Sequence, residues 1–262
     1  ASYNLDQPFF VQYLLYLKGV FTFDLGTTLR GSRPIVEVLA GAYPVTIKLA
    51  LMALTFEAVA GIAVGFVAGV RKGRWFDATA LVLSLVVIAV PTFVIGFLLQ
   101  FFIGVRMGWL PVTAGSNPGF KELLMPALVL GAVSFAYVLR LTRTEVAENL
   151  SADYVRTARA KGLGRHAVLM RHALRNALVP VVTVAAMQFA ELLAGAVVVE
   201  NVFYLPGLGR LVFQGIANRD LAVVRNCVML LAGMVALINL AVDALHALID
   251  PRLTHARRLR AP

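Results

Sequence analysis

The chain divides at residues 145–180, EVAENLSADYVRTARAKGLGRHAVLMRHALRNALVP, a basic stretch between long apolar segments. Together with Arg140 and Arg143 just before it, this stretch holds eight Lys and Arg residues. The whole chain is 60% hydrophobic and only 15% charged, whereas about 25% of the residues in soluble domains are charged. We therefore predict an integral membrane protein whose basic stretch lies outside the lipid.

Five apolar runs are long enough to cross a bilayer, which takes about 20 mostly apolar residues. They are residues 44–70, 76–104, 123–141, 176–199 and 224–249. Segment 9–25 is shorter and is interrupted by polar residues, so it is either a helix on the outer surface or a further span. The sequence predicts an all-α polytopic membrane protein with three parts: an N-terminal segment (1–43), a membrane domain (44–249) and a tail (250–262).

Basic residues are divided unevenly between the two sides that these spans define. The basic stretch, segment 71–75 and the tail share one side and carry fifteen Lys and Arg residues, whereas the opposite segments carry seven. Positively charged segments remain in the cytoplasm. We therefore expect the basic stretch and the C-terminus to be cytoplasmic and residues 1–43 to be outside. This bias also explains the net charge of +10 without nucleic acid.

Several polar residues and one proline interrupt the predicted spans. Glu57 lies midway along the first run, and Gln188 and Glu191 lie inside the fourth. A charge at that depth costs about 2.5–3.5 kcal/mol, so these side chains should face protein or water. They could hydrogen-bond between helices, line a hydrophilic path or relay protons. Pro91 predicts a kink in the second run, which would suit either a helix that moves or simple packing.

The basic stretch contains the signals of a short helix. Ser151 is a candidate N-cap for a helix over residues 152–161, and Gly162 is the expected C-terminal stop. Tyr154 and Ala158 would share one face of this helix.

A second, amphipathic helix would follow Gly164, begin at Arg165 and lead through residue 178 into the fourth span. The whole stretch could rest on anionic lipid or dock into a partner protein. The aromatic residue, the small residue and the glycine corner at fixed spacing favour docking.

The segment YVRTARAKGLG, residues 154–164, resembles the EAA loop of type I ABC-importer permeases, specifically those of the dipeptide, oligopeptide and nickel permease family. In the general motif a glycine follows the first acidic residue by six positions. Here Arg156 stands at the acidic position and Gly162 at the glycine. Further matches cover nearly the whole chain: DLGT (24–27), VPTF (90–93), GWLP (108–111), RHALRNAL (171–178), ENVF (200–203) and PGLGR (206–210).

The resemblance implies a type I ABC importer transmembrane domain, in which residues 145–178 form the cytoplasmic coupling loop. Such permeases have six spans, so we expect another span ahead of residue 1. The candidate ATPase-coupling residues are Tyr154, Arg156, Ala158, Gly162, Gly164 and Arg165. The candidate path residues are those identified above: Glu57, Pro91, Gln188 and Glu191. The candidate outer-face loop, a turn before a short predicted helix, contains Glu200, Pro206, Gly207, Gly209 and Arg210.

The implied function is that of a permease subunit in the inner membrane, which forms half of the path of an ATP-driven importer. Di- or oligopeptides are the expected cargo, with nickel, glutathione or haem-like molecules as alternatives. The implied partners are a sister permease, two cytoplasmic ABC ATPases and an extracytoplasmic binding protein.

ATP and magnesium are expected on the partner ATPases, because the chain contains no P-loop motif. We expect no cofactor, metal or catalytic residue in this chain, since it contains no His-Glu-x-x-His or Gly-x-Ser-x-Gly motif. An ion-coupled secondary transporter that uses Glu57 or Glu191 as its proton carrier is the alternative outside this family.

Overall fold

The computed structural model describes residues 8–29 and 31–249, and nearly all of these residues are helical. The predicted tail 250–262 lies outside the described residues. In chain order the helices are α1 (Phe9–Thr22), α2 (Ile35–Val70), α3 (Trp75–Ala89), α4 (Thr92–Arg106), α5 (Phe120–Ser151), α6 (Asp153–Ala160), α7 (Arg165–Val202), α8 (Leu208–Ala217) and α9 (Leu221–Ile249). Helices α4 and α7 include the π-helical segments Gln100–Arg106 and Val168–Leu174.

Four helices, α2, α5, α7 and α9, are individually long and apolar enough to span a membrane, and α3 with α4 passes the same test together as a bent pair. Each of the five predicted runs therefore falls in a spanning element. Helix α2 begins at Ile35, nine residues before the predicted run, and Pro44 lies inside it. Pro34, with its preset φ of −56°, is the N-cap residue that directly precedes the helix.

Helices α2 and α5 pack closely and run parallel. Gly61, Gly65 and Gly69 recur at every fourth position of α2 and lie against successive turns of α5. A Cβ atom on Gly65 would come within 2.5 Å of the carbonyl oxygen of Leu139. Small residues at this spacing let two membrane helices approach backbone to backbone. Because the helices are parallel, the chain between them must return to the opposite end, and α3 and α4 provide this return.

The return crossing is bent at the predicted proline. The backbone leaves the helix at Val90, and Pro91 precedes the first residue of α4. The axes of α3 and α4 differ by 104°, so the second run is broken rather than one straight helix. The bent pair still reaches the end of the bundle where α7 ends. Gln100 on α4 donates hydrogen bonds to the carbonyls of Val112 and Val202 at 2.9 and 3.0 Å, and Val202 is the last residue of α7.

An ion pair joins the other end of this crossing to α5. We call this end inner, because the basic stretch lies there. The Nε and Nη2 atoms of Arg143 contact the two carboxylate oxygens of Asp77 at 2.8 and 2.7 Å. The backbone N–H of Gly73 also donates to Asp77, at 2.8 Å. The ion pair therefore fixes the first inner loop and α3 to α5.

Asp77→Asn and Arg143→Gln are each expected to destabilise the protein by about 1–3 kcal/mol, because each leaves a largely buried partner without its charged hydrogen bonds. Thermal unfolding in detergent measures this loss. The double variant should cost less than the sum of the two single variants. Strictly additive losses would show that the pair contributes no coupling between α3 and α5.

On the outer side, α1 lies against the beginning of α9. The hydroxyl of Tyr16 lies 2.9 Å from the sulfur of Met229, and the guanidinium of Arg225 lies 4.0 Å from the centre of the Tyr16 ring. Helix α1 has only 14 residues, and 14 residues rise about 21 Å, too little to cross the hydrocarbon core. Its length therefore favours a surface helix over a further span, and its location on the outer side stays a prediction.

Candidate functional site

The basic stretch forms a short helix between two long ones. Helix α5 continues through Ser151, whose hydroxyl donates to the carbonyl of Ala147 at 3.1 Å. The prediction that Ser151 caps the short helix is therefore wrong, because its hydroxyl is used within α5. The extended residue Ala152, with φ −70° and ψ 151°, separates α5 from α6. A single residue thus connects the two helices.

The short helix α6 ends at a glycine corner, as predicted. Gly162 has a φ of +81°, a conformation that glycine adopts without steric cost. The N–H of Leu163 donates to the carbonyl of Ala158 at 3.2 Å, and the N–H of Gly162 donates to that of Arg159 at 2.9 Å. These bonds satisfy the last carbonyls of α6, and α7 begins at Arg165.

The buried face of α6 differs from the predicted one. Val155 and Ala158 are buried and pack against Val168 on α7, so Ala158 faces the protein rather than a partner. Tyr154 is 39% exposed, and its hydroxyl donates to the side chain of Asn149. The sequence interpretation missed Val155, although its i, i+3 spacing with Ala158 was the available signal.

The outward surface of the corner is strongly basic. Arg156 has 76% of its side chain exposed, and it forms an exposed ion pair with Asp153 at 3.5 Å. The predicted coupling residues Gly162, Gly164 and Arg165 are also exposed. The corner thus presents backbone and cationic side chains on the surface of the chain.

A groove beside the Pro91 break contains one of the predicted path residues, Glu191. It is lined by Thr92, Ser134, Glu191 and Gly195, among others. The side chain of Glu191 is exposed in the groove. The sequence interpretation did not identify Thr92 and Ser134 as groove residues, because single hydroxyl residues in apolar runs do not stand out.

Glu57 lies behind this groove, in the interface between helices. It is completely buried, and neither of its carboxylate oxygens has a hydrogen-bond partner in the described part of the chain. Ser134 and Glu191 are close enough to interact with it. Gln188 is 8% exposed, and its side-chain oxygen likewise has no partner among the described residues. The structure therefore brings Glu57, Glu191 and the Pro91 break together, with Gln188 one turn along α7.

The predicted outer-face loop is a buried connection, which we call the outer clasp: Thr46, Glu200, Gly207, Leu208 and Arg210. The Glu200 carboxylate accepts hydrogen bonds from the Thr46 hydroxyl at 2.6 Å and the Arg210 N–H at 3.1 Å. The Thr46 hydroxyl accepts from the Leu208 N–H at 2.9 Å. The buried carboxylate therefore lies at the N-terminus of α8, where the helix dipole favours a negative charge.

Close packing completes the outer clasp. The Glu200 carboxylate fills the space that a Cβ atom on Gly207 would occupy, and Gly209 lies directly against the backbone of Val197. The Nη1 atom of Arg210 donates to the carbonyl of Tyr204 at 2.5 Å, and its guanidinium lies 4.9 Å from the centre of the Tyr204 ring. Pro206 lines a shallow pocket beside the clasp. These residues join α7, α8 and α2, and Thr46 is the member that the sequence interpretation missed.

Comparison with protein families finds a match over residues 61–255 to the binding-protein-dependent transport system inner membrane component. The chain is 35% identical to the dipeptide transport system permease protein DppB of Alkalihalophilus pseudofirmus, over 96% of this chain and 84% of that protein. It is 38% identical to DppB of Escherichia coli K12, over 98% and 84%. It is 40% identical to a putative peptide transport system permease protein of Brucella abortus, over 96% and 82%.

Solved structures show the same fold. The chain matches an inward-facing conformation of the MetNI methionine ABC transporter with a TM-score of 0.69 and 19% identity, over 84% of this chain and 99% of that one. It matches an amino acid ABC transporter with a TM-score of 0.59 and 16% identity, over 90% and 98%. At these identities the likeness concerns the arrangement of the helices.

Proposed function

The chain belongs to the family of binding-protein-dependent transport system inner membrane components, and we propose that it carries di- or oligopeptides. It is a multi-pass permease subunit of an ABC importer. The proposal about cargo rests on one observation: identities of 35–41% to dipeptide and peptide permeases over at least 95% of the chain. Nickel, glutathione and haem-like molecules are the cargoes against which peptides should be tested.

In the assembly that we propose, this chain pairs with a similar sister permease, and each permease forms half of the path. Two ABC ATPases bind ATP and magnesium below the membrane, and a binding protein delivers cargo from outside. The excess of basic residues on one side supports a cytoplasmic location for α6 and the C-terminus.

We propose that α6 transmits movement from an ATPase to the path. Its exposed corner, with Tyr154, Arg156, Gly162, Gly164 and Arg165, would dock into the ATPase. Packing of Val155 and Ala158 on Val168 would make α6 move together with α7, and only Ala152 separates it from α5. These two helices carry Ser134 and Glu191, so a displacement of α6 reaches the groove through continuous helices.

The function is tested with the assembled transporter in proteoliposomes, by uptake of a labelled dipeptide delivered by the binding protein. Uptake should require ATP and should stop when the ATPases carry an inactivating substitution in their own site. Uptake that is driven by a proton gradient without ATP would instead support an ion-coupled transporter. Binding-protein-dependent uptake of nickel, glutathione or haem in place of the dipeptide would overturn the cargo.

The groove at Glu191 is tested by chemical modification. Cys227, the only cysteine of the chain, is buried. A thiol reagent should therefore label an introduced cysteine with little labelling of Cys227. Glu191→Cys should react at least about tenfold faster with a water-soluble thiol reagent than Leu83→Cys, because a thiol reacts as its hydrated thiolate. Leu83 is 58% exposed on α3 and does not line the groove. Equal rates at the two positions would show that the groove is not part of an aqueous path.

A further inference from the structure

A second cavity lies at the inner membrane surface, away from the groove and the outer clasp. It has a volume of about 390 Å³. Its apolar walls include Val70, Leu150, Leu163 and Leu169, and its charged side chains are Arg159 and Arg165. Val70 is the last residue of α2, and Leu150 is the penultimate residue of α5. The cavity therefore lies between the ends of two membrane helices and the corner that joins α6 to α7.

The charges in this cavity are unbalanced. No acidic side chain lines it, and neither of its two arginines forms an ion pair in the part of the chain that the structure describes. A guanidinium group binds phosphate oxygens through paired hydrogen bonds. Two such groups beside one cavity provide a binding site for a phosphate ester.

We propose that this inner basic cavity binds the headgroup of an anionic phospholipid. The ends of membrane helices lie at the level of the lipid phosphates, and basic pockets between helices on the cytoplasmic side are suited to anionic headgroups. The apolar walls favour a lipid over a free phosphate ion, since only the lipid brings apolar groups that these walls can cover.

A lipid in this position has a structural consequence. Its headgroup contacts Arg159 on α6 and Arg165 on α7, while its apolar part contacts the end of α2 at Val70. It therefore connects the α6–α7 corner to the end of α2, and it shares Arg165 with the proposed ATPase-docking surface. The inference depends on the membrane topology and not on the peptide cargo, so the two can fail separately.

The experiment measures phospholipid retention by native mass spectrometry of the assembled transporter. The complex is equilibrated with mixed micelles of phosphatidylglycerol and phosphatidylcholine. Arg159→Gln should weaken the retention of phosphatidylglycerol about fivefold, and Arg159→Gln with Arg165→Gln about 25-fold, as expected for about 1 kcal/mol per basic residue. Phosphatidylcholine retention should not change.

Arg171→Gln is the charge-matched control. Arg171 is exposed on α7 and does not line the cavity, so its loss should leave phosphatidylglycerol retention unchanged. An equal loss in this control would show diffuse surface attraction and overturn the site. Displacement of phosphatidylglycerol by inorganic phosphate would show a soluble-anion site and would also overturn it. Unchanged retention in the double variant would exclude the cavity.

Discussion

Gly162→Val is expected to reduce ATP-dependent uptake by about tenfold while leaving the amount of protein in the membrane unchanged. Gly162 has a φ of +81°, and an L-residue with a branched Cβ pays roughly 1–2 kcal/mol or more in that region. A cost of this size lowers the equilibrium constant between the native corner and alternative conformations about tenfold. The measurement pairs uptake in proteoliposomes with ATP hydrolysis stimulated by the loaded binding protein.

Gly162→Asn separates backbone strain from the loss of a glycine as such. No atom lies within 4 Å of a Cβ added at this position, so a larger side chain fits, and asparagine tolerates the left-handed conformation. Uptake by this variant should stay within about twofold of the wild type, since the corner keeps its shape. If Gly162→Val and Gly162→Asn reduce uptake equally, the corner needs a glycine because a partner occupies the space beside it, and not because of its backbone conformation. If neither reduces uptake, α6 is not the coupling element.

The membrane architecture was predictable from sequence because it depends on long runs of one chemical type. Twenty apolar residues imply a span wherever they occur, so each of the five runs falls in a spanning element. The helix ends were less predictable, since local propensity competes with packing. Pro34 directly precedes α2, ten residues ahead of Pro44, and Ser151 prolongs α5 where its residue type favours a cap.

Contacts between residues that are far apart in the chain could largely not be predicted from the sequence. Glu200 and Arg210 appear together in the outer loop, but Thr46 joins them from 154 positions away from Glu200. Nothing in the local pattern around Thr46 indicates this contact. The same holds for Asp77 and Arg143, 66 positions apart: the sequence analysis counted Arg143 among the basic residues and did not consider Asp77.

The face of α6 shows how a partly correct pattern misleads. The i, i+4 relation between Tyr154 and Ala158 is real, but the stripe that packs contains Val155 and Ala158. A short amphipathic helix has one apolar face, and the chain uses it to bind its own α7. A partner is therefore left with the basic surface and the glycine corner, so charge and backbone shape, more than small side chains, carry the proposed docking.

Gly209→Ala is expected to destabilise the protein by about 2–5 kcal/mol, a fall in unfolding temperature of roughly 5–15 °C. The added Cβ would overlap the Cα of Val197 and lie 2.9 Å from its nitrogen. Both are backbone atoms that cannot rotate away, so α8 must move off α7. That movement also withdraws the N–H of Arg210 from the buried carboxyl group of Glu200, which then lacks one of its hydrogen bonds.

Gly41→Ala is the matched control for this effect. It adds the same methyl group to a helix, α2, at a position with no atom within 4 Å of the new Cβ. It should leave the unfolding temperature unchanged or raise it slightly, since alanine is the better helix former. Equal behaviour of the two variants in thermal unfolding would contradict the close approach of α8 to α7. A large loss only in Gly209→Ala would show that the outer clasp fixes the outer end of α7, the helix whose inner end we assign to coupling.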